Sequence, residues 1–227
     1  KTQLVLQELD VASATDRAKL VLELGDAPLD CLVNNAGFAL FGALENAAEE
    51  QIIAQINVNL TAPILLTQAL LPKLRASKGS IINISSMMSF VGFPLSSIYC
   101  TSKAGLSMFS ESMYHELAPH GVRVALIEPG GYRTNFSSNI QWSNRNEPAY
   151  QKLTEGYKRL QKRISSRKGR SPSSVIQKIV TIAEAKSTTK LKYRIGADSL
   201  LSGLFHKLCP NGLRLRILRR MFRKLFS

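Results

Sequence analysis

Residues 79–103 read GSIINISSMMSFVGFPLSSIYCTSK, and they decide how the chain folds. The first part is a short apolar run closed by two serines, the pattern of a strand buried on both faces of a parallel sheet. A loop with Gly92 and Pro94 follows, and from Tyr99 the apolar spacing turns helical and continues to about Pro119. Strand, loop and helix in that order predict one turn of an α/β layer fold.

The same rhythm extends in both directions. LDCLVNNAG (29–37) is an apolar run ended by turn formers, a second buried strand. Residues 47–76 have helical spacing, with Pro63 expected to bend the helix or interrupt it. VRVALIEPGG (122–131) and LKYRIGA (191–197) read as further strands, and SPSSVIQKIVTIAEA (171–185) as a capped helix. At the start, QLVLQELDV (3–11) is a β-rich run, followed by a helical pattern over 15–24 that stops at Gly25. Residues 131–172 break the alternation with Trp142, several Asn and Ser, and a helix over 149–164; so long an interruption predicts a lid or substrate loop.

The chain has 227 residues, 44% of them hydrophobic and 20% charged, which fits one globular domain and excludes wholesale disorder. Three widely spaced cysteines and three scattered histidines form no metal-ligand pair and no disulfide framework, so no metal is expected, and a reducing, cytoplasmic compartment fits best. No apolar run is expected to span a bilayer. The net charge of +14 is uneven: residues 151–170 hold eight Lys or Arg against one Glu, and residues 211–227 hold six against none. The final run, GLRLRILRRMFRKLF, suits a helix packed on the domain or on a partner, or a basic amphipathic helix at a membrane surface. No recognition module accompanies these cations, so nucleic acid is not expected as a partner.

Three polar side chains in the opening stretch suggest chemistry. Tyr99 and Lys103 are four apart and share a helix face, where an ammonium would favour the phenolate. Ser86 stands at the C-terminal end of its strand, the edge at which open parallel sheets place ligands. Asn59 is polar within an apolar helical run, either structural or holding a water; Asn57 competes with it for that role. The turns NNAG (34–37) and PGGYRT (129–134) each follow a strand directly, where glycine lets backbone approach a ligand.

Taken in order and spacing, these motifs resemble the short-chain dehydrogenase/reductase family, over residues 9–134. The resemblance implies a Rossmann-like, doubly wound parallel sheet in a single partial dehydrogenase domain, 1–227, that includes the 131–172 lid and the 211–227 tail. It implies catalytic roles for Asn59, Ser86, Tyr99 and Lys103. In that reading Tyr99 exchanges the proton, Ser86 orients the carbonyl oxygen, and Lys103 holds the nicotinamide ribose and lowers the Tyr99 pKa. Cofactor contacts are implied at Asp10, Asn34, Ala36, Gly37, Tyr99, Lys103, Pro129, Gly130 and Thr134, with Asn83 as the family's strand asparagine.

The family's Gly-rich TGxxxGxG turn has no counterpart, so the chain is expected to lack a first strand, that turn, a first helix and a second strand. The tail and GFPLSSIYCTSK look like the branch of 17β-hydroxysteroid and retinol dehydrogenase-like proteins. The implied reaction is hydride transfer between NADP(H), or NAD(H), and a bulky apolar alcohol or ketone such as a steroid, retinoid or other lipid. The rival expectation is a noncatalytic nucleotide- or lipid-binding protein on the same scaffold. A homo-oligomer is the family expectation, with peripheral membrane contact through 211–227 as a further one.

Overall fold

A computed structural model of the protein describes residues 4–166, 170–187 and 190–226, with the backbone alone at 163–166 and 224–226. Residues 167–169 of the expected lid and the last residue of the tail lie outside the described residues.

Four parallel strands, β1 (Cys31–Asn34), β3 (Ser80–Ile84), β4 (Arg123–Pro129) and β6 (Lys192–Ile195), lie side by side in the order β1-β3-β4-β6. Register pairs Ile81 with Leu32 and Val124, and Ile82 with Val33 and Ala125. Because side chains alternate across a strand, Ile81 and Val124 face one helical layer while Ile82, Ala125 and Ile127 face the other. The first layer holds α3 (Ala62–Ser77) and α4 (Ser97–Leu117), which supply Leu66, Leu70, Leu74, Met113 and Leu117 to the core. The second holds α6 (Ser173–Glu184), whose Ile182 is buried against the sheet. This is the doubly wound arrangement, and it explains why β3 and β4 read as unbroken apolar runs.

Of the strand expected at 3–11, Gln3 lies outside the described residues and 4–11 form no strand. Among the described residues, 4–10 pair with no strand, and Leu4, Val5 and Leu6 are exposed. β-Propensity describes fit to a half-buried pleated surface, and without a neighbouring ladder an apolar run stays unpaired. The helix after it forms as expected, as α1 (Ala14–Glu23), with the Ser13 side chain capping Asp16 N and Gly25 at φ 53° beyond its end.

The expected long helix at 47–76 is in three parts: α2 (Glu49–Ile56), a π-helical turn (Asn57–Thr61) and α3. Pro63 has no N–H to return to the Asn59 carbonyl, and the wider turn just before it absorbs that loss. Against the sequence expectation, Glu49–Ser77 is long and apolar enough by length and composition to cross a membrane. Its Leu66, Leu70 and Leu74 are packed into the core instead.

The interruption at 131–172 carries an unforeseen strand, β5 (Ile140–Trp142), parallel to β2 (Ala39–Phe41) just after the NNAG turn. Its helix is α5 (Gln151–Ser166). Beyond β6 the chain closes with α7 (Ala197–Leu208) and α8 (Asn211–Phe226), the basic tail.

Candidate active site

The C-terminal ends of β1, β3 and β4 lie along one edge of the sheet, and each leads into a segment with polar or glycine residues. Ser86 follows β3 and caps a single helical turn, its hydroxyl accepting from Met88 N at 3.1 Å. Tyr99 and Lys103 sit one turn apart near the start of α4, and both are buried, each 5% exposed. The Lys103 ammonium is 6.0 Å from the centre of the Tyr99 ring and donates to the Ile84 carbonyl at 2.9 Å. The neighbouring serine acts on the frame instead. Ser85 Oγ donates to the Lys103 carbonyl at 3.1 Å and meets Ser107 Oγ at 3.0 Å, fastening β3 to α4.

Asn59 is completely buried, whereas Asn57 is exposed. The Asn59 amide grips the Phe38 peptide from both sides, accepting from Phe38 N at 3.1 Å and donating to Phe38 O at 2.9 Å. Gln55, one turn earlier and not singled out from the sequence, accepts from Leu40 N at 2.5 Å and donates to Phe38 O at 2.9 Å. Two buried amides therefore fix the backbone that follows Gly37. Buried amides of this kind are costly unless paired, and both use their oxygen and their nitrogen here.

Gly37 lies against Asn59 and Lys103. A Cβ there would fall 3.0 Å from Asn59 Oδ1 and 3.7 Å from Lys103 Nζ. The bare Cα keeps open a small cradle in front of the ammonium. Of the three donors on Lys103, one is given to Ile84 O. An open cradle beside a buried cation with further donors fits the hydroxyl-bearing ribose end of a nicotinamide dinucleotide.

The remaining sequence candidates serve the frame or lie in local turns. Asn34 Nδ2 donates to Asn83 Oδ1 at 2.8 Å and Thr67 Oγ1 at 3.2 Å, and Asn83 Nδ2 donates to Ser110 Oγ at 2.8 Å. This chain of amides joins β1 and β3 to α3 and α4. Ala36 is exposed beside Gly37. Asp10 is exposed and its carboxylate accepts from Ala12 N at 2.9 Å, a local turn. Thr134 is exposed and caps Phe136 N at 3.2 Å. Pro129 ends β4 opposite Ile195. At Gly130 a Cβ would overlap the carboxylate of Asp198, which accepts from Gly131 N at 2.6 Å and pairs with Arg170. The turn is thus closed against a carboxylate of α7, a neighbour not foreseen in the sequence. The Asp198 carboxyl is held below its usual range, because the Gly131 N–H and the Arg170 guanidinium together outweigh its partial burial.

Electrostatics around Tyr99 run against the expected tuning by Lys103. Burial raises the phenol well above its ordinary value, and a hydrogen bond with the Ser86 side chain opposes this without overcoming it. Burial also lowers the Lys103 ammonium from 10.5 to about 8. The Lys103 ammonium, with its Nζ directed at the Ile84 carbonyl, is not among the groups that move Tyr99.

Above the phenol lies a cluster of rings that the sequence did not reveal. Tyr99 meets Phe41 at 6.2 Å and Phe136 at 5.9 Å between ring centres, and Phe41 meets Tyr157 at 5.3 Å and Trp142 at 6.0 Å. Phe136, Trp142 and Tyr157 all come from the 131–172 segment, so it is packed as a cover over the site. Tyr157 is buried and its hydroxyl lies 3.2 Å from Ser96 Oγ, tying α5 to the start of α4.

Residues 1–144 match the profile of the short chain dehydrogenase family. The chain belongs to that family. Its members are oxidoreductases that act on alcohol groups with a nicotinamide dinucleotide. Among relatives, an uncharacterized oxidoreductase, YusZ, of Bacillus subtilis is 36% identical over 208 residues, 88% of this chain and 72% of that protein. Retinol dehydrogenase 7 of Mus musculus is 42% identical over 115 residues, 51% of this chain and 36% of that protein. In structure, a short-chain dehydrogenase from Streptomyces avermitilis superposes with a TM-score of 0.77 at 28% identity, over 96% of this chain and 76% of that one. The chain thus spans from about a third to about three quarters of the length of these relatives.

Proposed function

We propose that this chain carries the proton-transfer half of an NAD(P)-dependent oxidoreductase acting on a bulky apolar alcohol or ketone, such as a steroid, retinoid or other lipid. The observation that carries the reading is the buried phenol of Tyr99, with the Ser86 side chain acting on it from one side and aromatic rings roofing it on the other. When bound, a nicotinamide dinucleotide supplies or accepts the hydride. Ser86 orients the substrate oxygen, and Tyr99 hands it the proton. The phenol gives that proton in carbonyl reduction and takes it back in alcohol oxidation.

Lys103, Gly37 and Tyr99 would hold the ribose end of the cofactor, with Ala36, Pro129, Gly130 and Thr134 along the same strand ends and Asp10 toward the adenine. Asn34 supports this set through the sheet. Asn59 positions the Phe38 backbone and lies beside Gly37 with Lys103, from where it would support a water relay. The rings of the cover exclude water and favour an apolar ring or chain as substrate.

NADP(H) is the favoured cofactor, with NAD(H) as the alternative. Titration of the intact protein with NADPH and NADH, following nicotinamide fluorescence, tests this. Saturable binding, and turnover of an apolar ketone such as a steroid or retinal, are expected. A folded protein that binds neither dinucleotide is instead the noncatalytic binding protein considered from the sequence.

A second reading concerns placement. On α8, Leu213, Leu215, Ile217 and Met221 are exposed among arginines, which favours a cytoplasmic protein touching an anionic membrane surface with this helix. Co-sedimentation with anionic vesicles, compared with and without residues 211–227, tests it; equal partitioning removes it. Exposed Ile53 and Met108, on α2 and α4, favour a homo-oligomer through those helices, which light scattering on the purified protein would detect.

A further inference from the structure

Between α8, the N-terminal turn of α5 and the loop at 92–94 lies a groove of about 780 Å³. Its walls are apolar, formed by Phe93, Pro94, Leu153, Leu218 and Phe222, and Phe93 and Phe222 meet at 5.2 Å between ring centres. Its charged lining residues are Lys152, Arg219 and Arg223, and among the described residues that line it there is no carboxylate. Leu153 and Phe222 also pack against the ring cluster that covers Tyr99. Those two side chains are therefore a wall shared by the groove and the apolar surroundings of the phenol, so the groove lies next to the site.

We infer that this groove takes the anionic end of an amphipathic substrate, a long-chain alcohol or carbonyl compound carrying a carboxylate or phosphate, whose reacting end lies at Tyr99. This rests on the oxidoreductase reading above and adds a substrate class to it. Apolar walls bury the chain, and three cations with no acid among the described lining residues select the charge. A neutral lipid of the same length would satisfy the walls and leave the cations in water; an anionic one satisfies both. Three of the basic residues of α5 and α8 then have a role at the site.

The test compares an ω-hydroxy fatty acid with the α,ω-diol of the same chain length, both below their micelle concentrations, by calorimetric titration of the intact chain. The acid is expected to bind about five- to tenfold tighter, the scale of one or two partly exposed ion pairs. The double variant Lys152→Gln, Arg219→Gln should reduce that preference to about twofold or less and leave diol binding unchanged. A control with the same loss of charge elsewhere, Lys19→Gln with Arg75→Gln, should keep it. Equal binding of acid and diol overturns the inference, and so does a preference lost equally in the control pair, which would make it a net-charge effect. If anionic vesicles bind in a Lys152- and Arg219-dependent way while the free acid shows no preference, the cations serve a membrane contact and the inference fails. Tyr99→Phe separates the two proposals: it should abolish turnover and retain the acid preference. A preference retained without any turnover in the unaltered protein counts against the oxidoreductase reading alone.

Discussion

Burying the Lys103 ammonium should cost the fold stability, by an amount that depends on pH. Its ammonium is buried, and burial lowers its pKa from 10.5 to about 8. The folded state therefore sheds the proton before the unfolded state does, and stability rises with pH between about 8 and 10.5. Below pH 8 both states are charged, and the fold bears the full cost of the buried cation, about 3 kcal/mol from the gap between the two values. By pH 9.5 that cost has fallen to about 1 kcal/mol. Lys103→Met removes the charge while keeping most of the volume; it also removes the hydrogen bond to Ile84 O, a loss of about 1–3 kcal/mol that does not vary with pH. The stability of the variant relative to the unaltered protein should thus shift in the unaltered protein's favour by about 2 kcal/mol from pH 7 to pH 9.5. Urea denaturation of both proteins at the two pH values, followed by far-ultraviolet circular dichroism, measures it. A stability difference that is the same at both pH values would refute the reasoning.

Two further outcomes follow from the frame of the site. Asn83→Ala leaves the Asn34 amide without its 2.8 Å acceptor and Ser110 without its donor, all within a buried network, and should destabilise the fold by about 2–3 kcal/mol in denaturant titrations; a loss under about 0.5 kcal/mol contradicts the assigned role. Gly130→Ala drives a Cβ into the Asp198 carboxylate and should destabilise by about 1–3 kcal/mol, whereas the same change in an Asp198→Ala background should cost far less. Additive effects in that cycle would show that the contact is not what constrains Gly130.

Much of this was legible in the sequence because it rests on short-range regularities. β3 and β4 announce themselves as apolar runs since both faces are covered, and α4 does so through its spacing. Tyr99 and Lys103 share a face by helical geometry alone, and Pro63 marks the π-helical turn. The strand expected at 3–11 failed because local β-preference cannot stand in for a neighbouring ladder. What surrounds Tyr99 was hidden for the opposite reason: Phe41, Phe136, Trp142 and Tyr157 come together only through the β2–β5 pairing and the return of α5, contacts between residues about a hundred positions apart. Trp142 and the rings near it in a polar loop were the available signal for a cover. The pKa relation of Lys103 and Tyr99 was misjudged from spacing because adjacency suggests attraction, while burial of both groups moves each toward its neutral form.

The central claim is that Tyr99 delivers the proton, and the direct measurement is the rate of NADPH-dependent reduction of an apolar ketone by the unaltered protein and by Tyr99→Phe. Matched circular dichroism spectra and NADPH affinities would establish that both proteins are folded and loaded alike. The account predicts a fall in kcat of about a hundredfold or more, the usual worth of a positioned proton donor. A phenylalanine variant that turns over at the original rate would contradict it.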